Sequence, residues 1–115
     1  MFKFEHLDAW KVTLELHGKV AAATRRLRQR DQVFLADQIG RAALSISANL
    51  AEGTGRESIR GGKHFFSIFK GSVYEVVSVA HILNQEGLLQ SSEFSDIYCL
   101  SDRVAGMLSG LIAKD

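Results

Sequence analysis

The sequence predicts an all-α fold, an antiparallel up-down four-helix bundle formed by one domain over residues 1–115. Apolar residues recur at helical spacing through most of the chain, and short glycine-containing or polar breaks divide it into four segments. The chain also contains no proline. Since proline removes a backbone N–H donor and clashes with the preceding turn, its absence favours long, uninterrupted helices.

The first two helices are predicted over residues 7–28 and 32–53. The first carries two apolar stripes: Leu7, Trp10, Leu14 and Ala21; and Val12, Leu16, Val20, Ala23 and Leu27. Such a wide apolar arc suits contacts with more than one neighbour, including a second subunit. We expect Asp31 to cap the start of the second helix, and Gly53 and Gly55 to mark its end.

The third helix is predicted over residues 58–86, and the fourth from Ser91 or Ser92 to residue 113. We expect the pair Gly61 and Gly62 to fray or bend the first turn of the third helix. The predicted core positions of these helices are Phe65, Phe66, Ile68, Phe69, Val73, Val76, Val77, Ala80 and Leu83, followed by Phe94, Ile97, Val104, Leu108, Leu111 and Ile112.

The charge is close to balanced overall, at +1, but it is unevenly distributed. Residues 1–30 hold seven basic and three acidic side chains, whereas the remainder holds seven basic and ten acidic ones. The candidate nucleic-acid site is the basic cluster Lys19, Arg25, Arg26, Arg28 and Arg30. Guanidinium groups pair with phosphate oxygens, but cations also favour a helix C-terminus and are commonly solvated, so both interpretations stand.

A polar stripe is predicted along one face of the second helix, because its residues recur at spacings of 3, 4, 4, 3 and 4. Its members are Gln38, Arg41, Ser45, Asn49, Glu52 and Arg56. The stripe is open to three interpretations: a solvated face, a buried network that fixes helix or subunit register, or a ligand site. Arg41 and Arg56 are expected to pair with Glu52 or with Glu75 of the third helix.

No catalytic, metal or cofactor site is predicted. The four histidines form no metal-binding motif, Cys99 has no identifiable partner base, and no phosphate loop follows Gly53. His81 and Cys99 are therefore interpreted as packing residues, and an enzyme is disfavoured. A single cysteine and the absence of a long apolar run predict a cytoplasmic protein that does not enter the membrane.

The sequence resembles a family of small four-helix-bundle proteins first noticed as products of intervening sequences in bacterial 23S ribosomal RNA genes. The resemblance covers nearly the whole chain, and Ser47 stands where the family often has proline. The matching positions are Phe4, Leu7 and Trp10; then Gln38, Arg41, Ala42, Ser45, Ile46, Asn49, Ala51, Glu52, Gly53 and Arg56; and finally Phe66, Gly71, Ser72 and Glu75.

The resemblance implies a bundle that assembles as a ring-like homopentamer and implies no catalysis. Distant cousins are the accessory proteins of diversity-generating retroelements, which bind nucleic acid and a reverse transcriptase. Together with the charge polarity, this favours a non-enzymatic assembly protein that binds nucleic acid, RNA in particular. The alternative is a protein–protein scaffold that binds no nucleic acid. In either case we expect a subunit interface on the first helix, near Trp10.

Overall fold

The computed structural model describes the backbone of residues 1–113, and the side chains of these residues except Ile59 and residues 111–113. A short 3-10 turn, Lys3–His6, precedes four α-helices. Their bounds are α1 Asp8–Gln29, α2 Val33–Gly55, α3 Ile59–Gln85 and α4 Ser91–Ala113. Residues 1–113 contain no strand. The predicted all-α fold is confirmed, with helix ends within two residues of their predicted positions.

The four helices form an up-down bundle in which each packs against two neighbours. Helices α1 and α3 each contact both α2 and α4, and the 3-10 turn contacts α1 and α2. One apolar core runs through the bundle. Its largest fully buried side chains are Leu16, Val20, Leu27, Ile39, Ile46, Leu50, Phe69, Val76, Leu83, Ile97, Val104 and Leu108. The predicted core positions Leu111 and Ile112 lie outside the described side chains.

The two apolar stripes of α1 have different environments. The stripe from Val12 to Leu27 is buried in the core. In the other stripe, Leu14 is 47% exposed, and Trp10 is half-buried beneath the 3-10 turn. There the Phe4 ring meets the Trp10 ring edge-on, with centroids 4.9 Å apart. The wide apolar arc therefore serves the core on one side and leaves apolar surface on the other.

The turn between α1 and α2 corrects the predicted role of Asp31. This residue does not cap α2; it adopts a left-handed conformation, with φ of 60°. The Gln32 N–H donates to the Leu27 carbonyl at 2.9 Å, and the Asp31 N–H donates to the Arg28 carbonyl at 3.2 Å. This bonding pattern is a Schellman motif, which requires a left-handed residue at the position of Asp31. Asp31 therefore ends α1 instead of starting α2.

Glycines at the α2–α3 turn allow close helix packing, contrary to the predicted fraying. The α-helix continues through Gly61 and Gly62, and the Ser58 hydroxyl accepts a hydrogen bond from the Gly61 N–H at 3.0 Å. A Cβ atom on Gly53 would lie 2.6 Å from the Phe66 ring, and one on Gly62 would lie 3.1 Å from the Gly53 carbonyl oxygen. Helix α2 ends at Gly55, the second of the two glycines predicted to mark its end, and Gly53 lies within the last turn.

Helix α3 contains a long apolar segment. By length and composition, its segment Arg60–Gln85 is the one helix of the described residues that could cross a membrane. In this structure it serves as a core helix, because Phe69, Val73 and Val76 are buried against the other helices. Of its predicted core residues, Ile68 is 41% exposed on the outer surface.

Candidate nucleic-acid interface and polar stripe

Arg26 is the most constrained member of the predicted basic cluster. Its Nη1 pairs with Glu93 of α4, and its Nη2 donates to the Leu88 carbonyl at 2.8 Å. The other oxygen of Glu93 accepts a hydrogen bond from the Gln90 N–H at 2.9 Å. Arg26 therefore ties the end of α1 to the α3–α4 turn and to the start of α4.

This pair also shifts the ionisation of both partners. The hydrogen bond from Arg26 lowers the pKa of Glu93, and the Gln90 N–H acts in the same direction, against the effect of partial burial. The hydrogen bond to Glu93 raises the pKa of Arg26, again opposed by desolvation. Both groups are therefore held in their charged forms, and the positive charge of Arg26 is matched by a close carboxylate.

Two further cations of the cluster are also paired. Lys19 Nζ lies 3.4 Å from Asp96 Oδ2 of α4, and Arg28 Nη2 donates to Asp37 Oδ1 of α2 at 2.7 Å. All four side chains are partly exposed, so each pair contributes little to stability. The pairs nevertheless place an acid beside each cation, which reduces the local positive potential.

Arg25 and Arg30 are the two members of the cluster without an ion pair among the described residues. Both are exposed, Arg25 in the last turns of α1 and Arg30 at its C-cap. All five predicted cations lie in α1 or at its C-cap. Of these, Arg25 and Arg30 remain free to meet a phosphate.

The middle of the polar stripe forms a network between α2 and α3. The hydroxyl oxygens of Ser45 and Ser72 lie 2.8 Å apart. The Asn49 side-chain amide donates to both the carbonyl and the hydroxyl of Ser45, at 2.8 and 2.9 Å. All three side chains are half-buried. This arrangement supports the register interpretation for these residues, because a satisfied polar network favours one alignment of the two helices.

The charged members of the stripe lie on the surface. Arg56 donates to Glu52 at 3.1 Å, which confirms the predicted pairing of these two residues. The Arg56 guanidinium also lies over the Phe65 ring, 4.4 Å from its centroid. In the part of the chain that the structure describes, no ion pair joins the exposed Arg41 to Glu75, which is exposed as well. Gln38 is half-buried at the other end of the stripe.

A second basic surface, which the sequence analysis did not identify, lies at the α2–α3 turn. We call it the corner patch and define it as Arg56, Arg60, Lys63 and His64. Three of these residues, together with Ser58, Gly61 and Phe65, line an open depression of about 520 Å³. Arg60 and Lys63 are exposed and have no ion pair among the described residues.

The sequence contained a signal for the corner patch. Residues 58–74 include three cations, Arg60, Lys63 and Lys70, and no aspartate or glutamate. The arginine run at 25–30 is denser in cations, but Asp37 of α2 and Glu93 of α4 form ion pairs with two of its arginines. In this chain, the acid-free segment indicates unpaired positive charge that the dense cationic run does not.

The two residues interpreted as packing side chains are both exposed. Cys99 lies on the outer surface of α4. The His81 ring meets the rings of Phe94 and Tyr98 edge-on, with centroids 5.0 and 6.0 Å apart, but the residue remains exposed. Among the residues that the structure describes, no three His, Cys, Asp or Glu side chains come together as metal ligands would.

Comparison with known proteins identifies the family. No curated protein matches the chain. The family model described as 23S rRNA-intervening sequence protein matches residues 5–110, which is nearly the whole chain. The fold agrees with the resemblance seen in the sequence, because Ser45 and Gly53 of the α2 signature lie against Ser72 and Phe66 of the third-helix pattern. The protein belongs to the family of 23S rRNA-intervening sequence proteins.

Proposed function

We propose that this protein is a non-enzymatic assembly protein that binds RNA through surface cations without acidic partners. The observation that carries the proposal is the corner patch, where Arg60 and Lys63 are exposed within an acid-free segment. Arginine pairs bidentately with phosphate oxygens, and lysine binds them as a point charge. Arg25 and Arg30 supply two further free cations at the opposite end of the bundle.

Stacking surfaces beside the corner patch favour unpaired RNA over duplex DNA. Phe65 is half-buried, and the Arg56 guanidinium already lies over its ring. Aromatic rings and guanidinium planes stack on bases that are splayed out of single strands, loops and bulges. A duplex keeps its bases stacked inside and would offer only its phosphates to this surface.

Self-association would strengthen RNA binding, because it would repeat the cations in each subunit. Exposed apolar side chains lie just before the 3-10 turn, on α1 and on α2, and these three elements pack together. Phe2 is 74% exposed, Leu14 47% and Leu44 59%. Exposed apolar side chains on neighbouring elements are a candidate interaction surface. In the homopentamer that the resemblance implies, each subunit would present one corner patch, and avidity would strengthen a weak single site.

The test is RNA binding over a salt series, with structured RNA, single-stranded DNA and duplex DNA compared by fluorescence anisotropy. The corner variant Arg60→Ala/Lys63→Ala is expected to bind RNA about tenfold more weakly at low salt. Its log–log salt slope should be smaller by about 1.4, since each single-strand phosphate contact contributes about 0.7. The variant Arg25→Ala/Arg30→Ala tests the basic cluster that the sequence predicts as the nucleic-acid site.

The matched control is Lys11→Ala/Arg103→Ala, which removes the same charge from exposed positions on α1 and α4. This control should bind RNA within about twofold of the wild type. Equal losses in the control and the corner variant would mean that net charge alone drives binding. No binding at low salt by a correctly assembled oligomer would overturn the proposal.

The second candidate function is a protein–protein scaffold that binds no nucleic acid, and the exposed apolar surface favours it. Leu14→Ser/Leu44→Ser removes apolar side chains that contribute little to the core, so the fold should persist. If this surface joins subunits, sedimentation should show a smaller assembly. If the interface includes Trp10, Trp10→Ala should lower the oligomer mass or abolish soluble protein, but this change also removes the contact of Trp10 with the Phe4 ring. An unchanged mass for the Leu14/Leu44 variant would place the interface elsewhere.

A further inference from the structure

A groove lies between α3 and α4, on the side of the bundle away from the exposed apolar side chains of α1 and α2. It has no role in the function proposed above. Its volume is about 380 Å³, at the lower end of the range for ligand sites. The residues that line it are Val73, Tyr74, Val77 and Ser78 of α3, and Tyr98, Ser101, Asp102 and Ala105 of α4. It therefore combines apolar walls, two tyrosine rings, two serine hydroxyls and one carboxylate.

The Ser101 hydroxyl is an unsatisfied polar group in this groove. Ser101 is fully buried, and its oxygen has no hydrogen-bond partner within the described residues. Most buried side-chain polar atoms are hydrogen-bonded, so an orphan hydroxyl in a groove calls for an explanation. A donor that enters the groove from outside would supply the missing partner.

The rim of the groove is suited to a cation. Tyr74 is 65% exposed and Tyr98 45%, so both rings offer accessible faces. The chain already places a cation at one of them, since Lys70 Nζ lies 5.9 Å from the centroid of the Tyr74 ring. Asp102 is exposed and has no ion pair among the described residues. Aromatic faces beside a free carboxylate attract cations and repel phosphates.

We propose that this groove binds an arginine side chain presented by a partner protein. The apolar walls of Val73 and Val77 accommodate the methylene stem. The planar guanidinium stacks on the tyrosine rings and donates to Asp102, and a small shift of the groove side chains brings a further donor to the buried Ser101 hydroxyl. A lysine ammonium lacks the planar stacking surface and fits less well. The charge of the groove thus specifies a basic partner, in contrast to the anionic partner of the corner patch.

The test is an NMR titration of the full chain with a capped pentapeptide that carries arginine between glycines. The matched control peptide replaces arginine with citrulline, which has nearly the same shape and no charge. We expect saturable shifts of the amide signals of Tyr74, Tyr98, Ser101 and Asp102 with the arginine peptide, and binding at least fivefold weaker with citrulline. Asp102→Asn should weaken arginine binding about tenfold. Glu15→Gln, which removes an exposed carboxylate from α1, should leave it unchanged.

Ser101→Ala separates a ligand contact from a structural role. Because the hydroxyl is unpaired in the free protein, its removal should leave the melting temperature unchanged or raise it, while it weakens arginine binding severalfold. A lowered melting temperature with unchanged binding would overturn the role of Ser101. Absence of saturable shifts, or equal responses to both peptides, would overturn the proposal. A smaller oligomer for Tyr98→Ala would assign the groove to a subunit contact instead.

Discussion

The two ends of the bundle are held together by different interactions. At one end, which we call the paired end, lie the α1–α2 and α3–α4 turns. There Arg26 joins Glu93 and the Leu88 carbonyl, and Arg28 joins Asp37. The other end, the glycine end, contains the α2–α3 turn, where Gly53 and Gly62 let the two helices approach closely.

This difference shows that a cation's availability depends on its neighbours in the fold. At the paired end, cations serve the structure and acids cancel much of their charge. At the glycine end, close packing holds the helices, so Arg60 and Lys63 remain free for a ligand. The comparison predicts that stability at the paired end depends on charge, whereas stability at the glycine end depends on shape.

The largest loss of stability is expected from a substitution at the glycine end. Gly53→Val would force a side chain into the buried Phe66 ring, and we expect the free energy of unfolding to fall by roughly 3 kcal/mol. Gly71→Val is the matched control, since a Cβ at Gly71 meets nothing within 4 Å. It should change the stability by less than about 1 kcal/mol. Urea denaturation measures both variants, and equal losses would contradict the shape argument.

A smaller effect is expected at the paired end. Arg26→Ala removes two hydrogen bonds and leaves the half-buried Glu93 without its partner, at a cost of roughly 2 kcal/mol. Arg28→Ala removes a more exposed pair and should cost less than about 1 kcal/mol. Urea denaturation at two salt concentrations would compare them. If both variants lost the same amount, Arg26 would be an ordinary surface cation.

The smallest expected effect is a pH dependence of stability that arises from the Arg26–Glu93 pair at the paired end. The pKa of Glu93 is lower in the folded protein than its ordinary value of about 4.5. The pair therefore contributes stability above that value, and the contribution is lost as the pH falls through the lowered pKa of the folded state. Between pH 6 and pH 3, the wild type should lose more stability than Glu93→Gln.

The glycine end supplies the control for this pH prediction. Gly53→Val is expected to lose as much stability as the wild type over the same pH range, because its defect is steric and Glu93 is unchanged. Urea midpoints measured across the pH series would show the difference. A pH dependence of Glu93→Gln equal to that of the wild type would remove Glu93 as its source.

The sequence by itself determined the number of helices, their approximate ends and most of the core. These features depend on local patterns: the helical spacing of apolar residues and the residue types that start or end a helix. Gly87, for example, follows the predicted end of the third helix, and glycine is the residue type that most often ends a helix; it adopts a left-handed conformation with φ of 72° just after the C-cap residue Glu86. The pairing of Arg56 with Glu52 was also predictable, because the two residues lie one helical turn apart.

The tertiary structure alone decided which cations are free and which glycines are constrained. Arg26 meets Glu93, 67 residues further along the chain, and Gly53 meets Phe66 across a helix boundary. Asp31 ends α1 because the chain must reverse there, although its residue type suits the start of the next helix. Helical periodicity shows which face a side chain occupies, but only the packed bundle shows which groups from distant segments lie opposite that face.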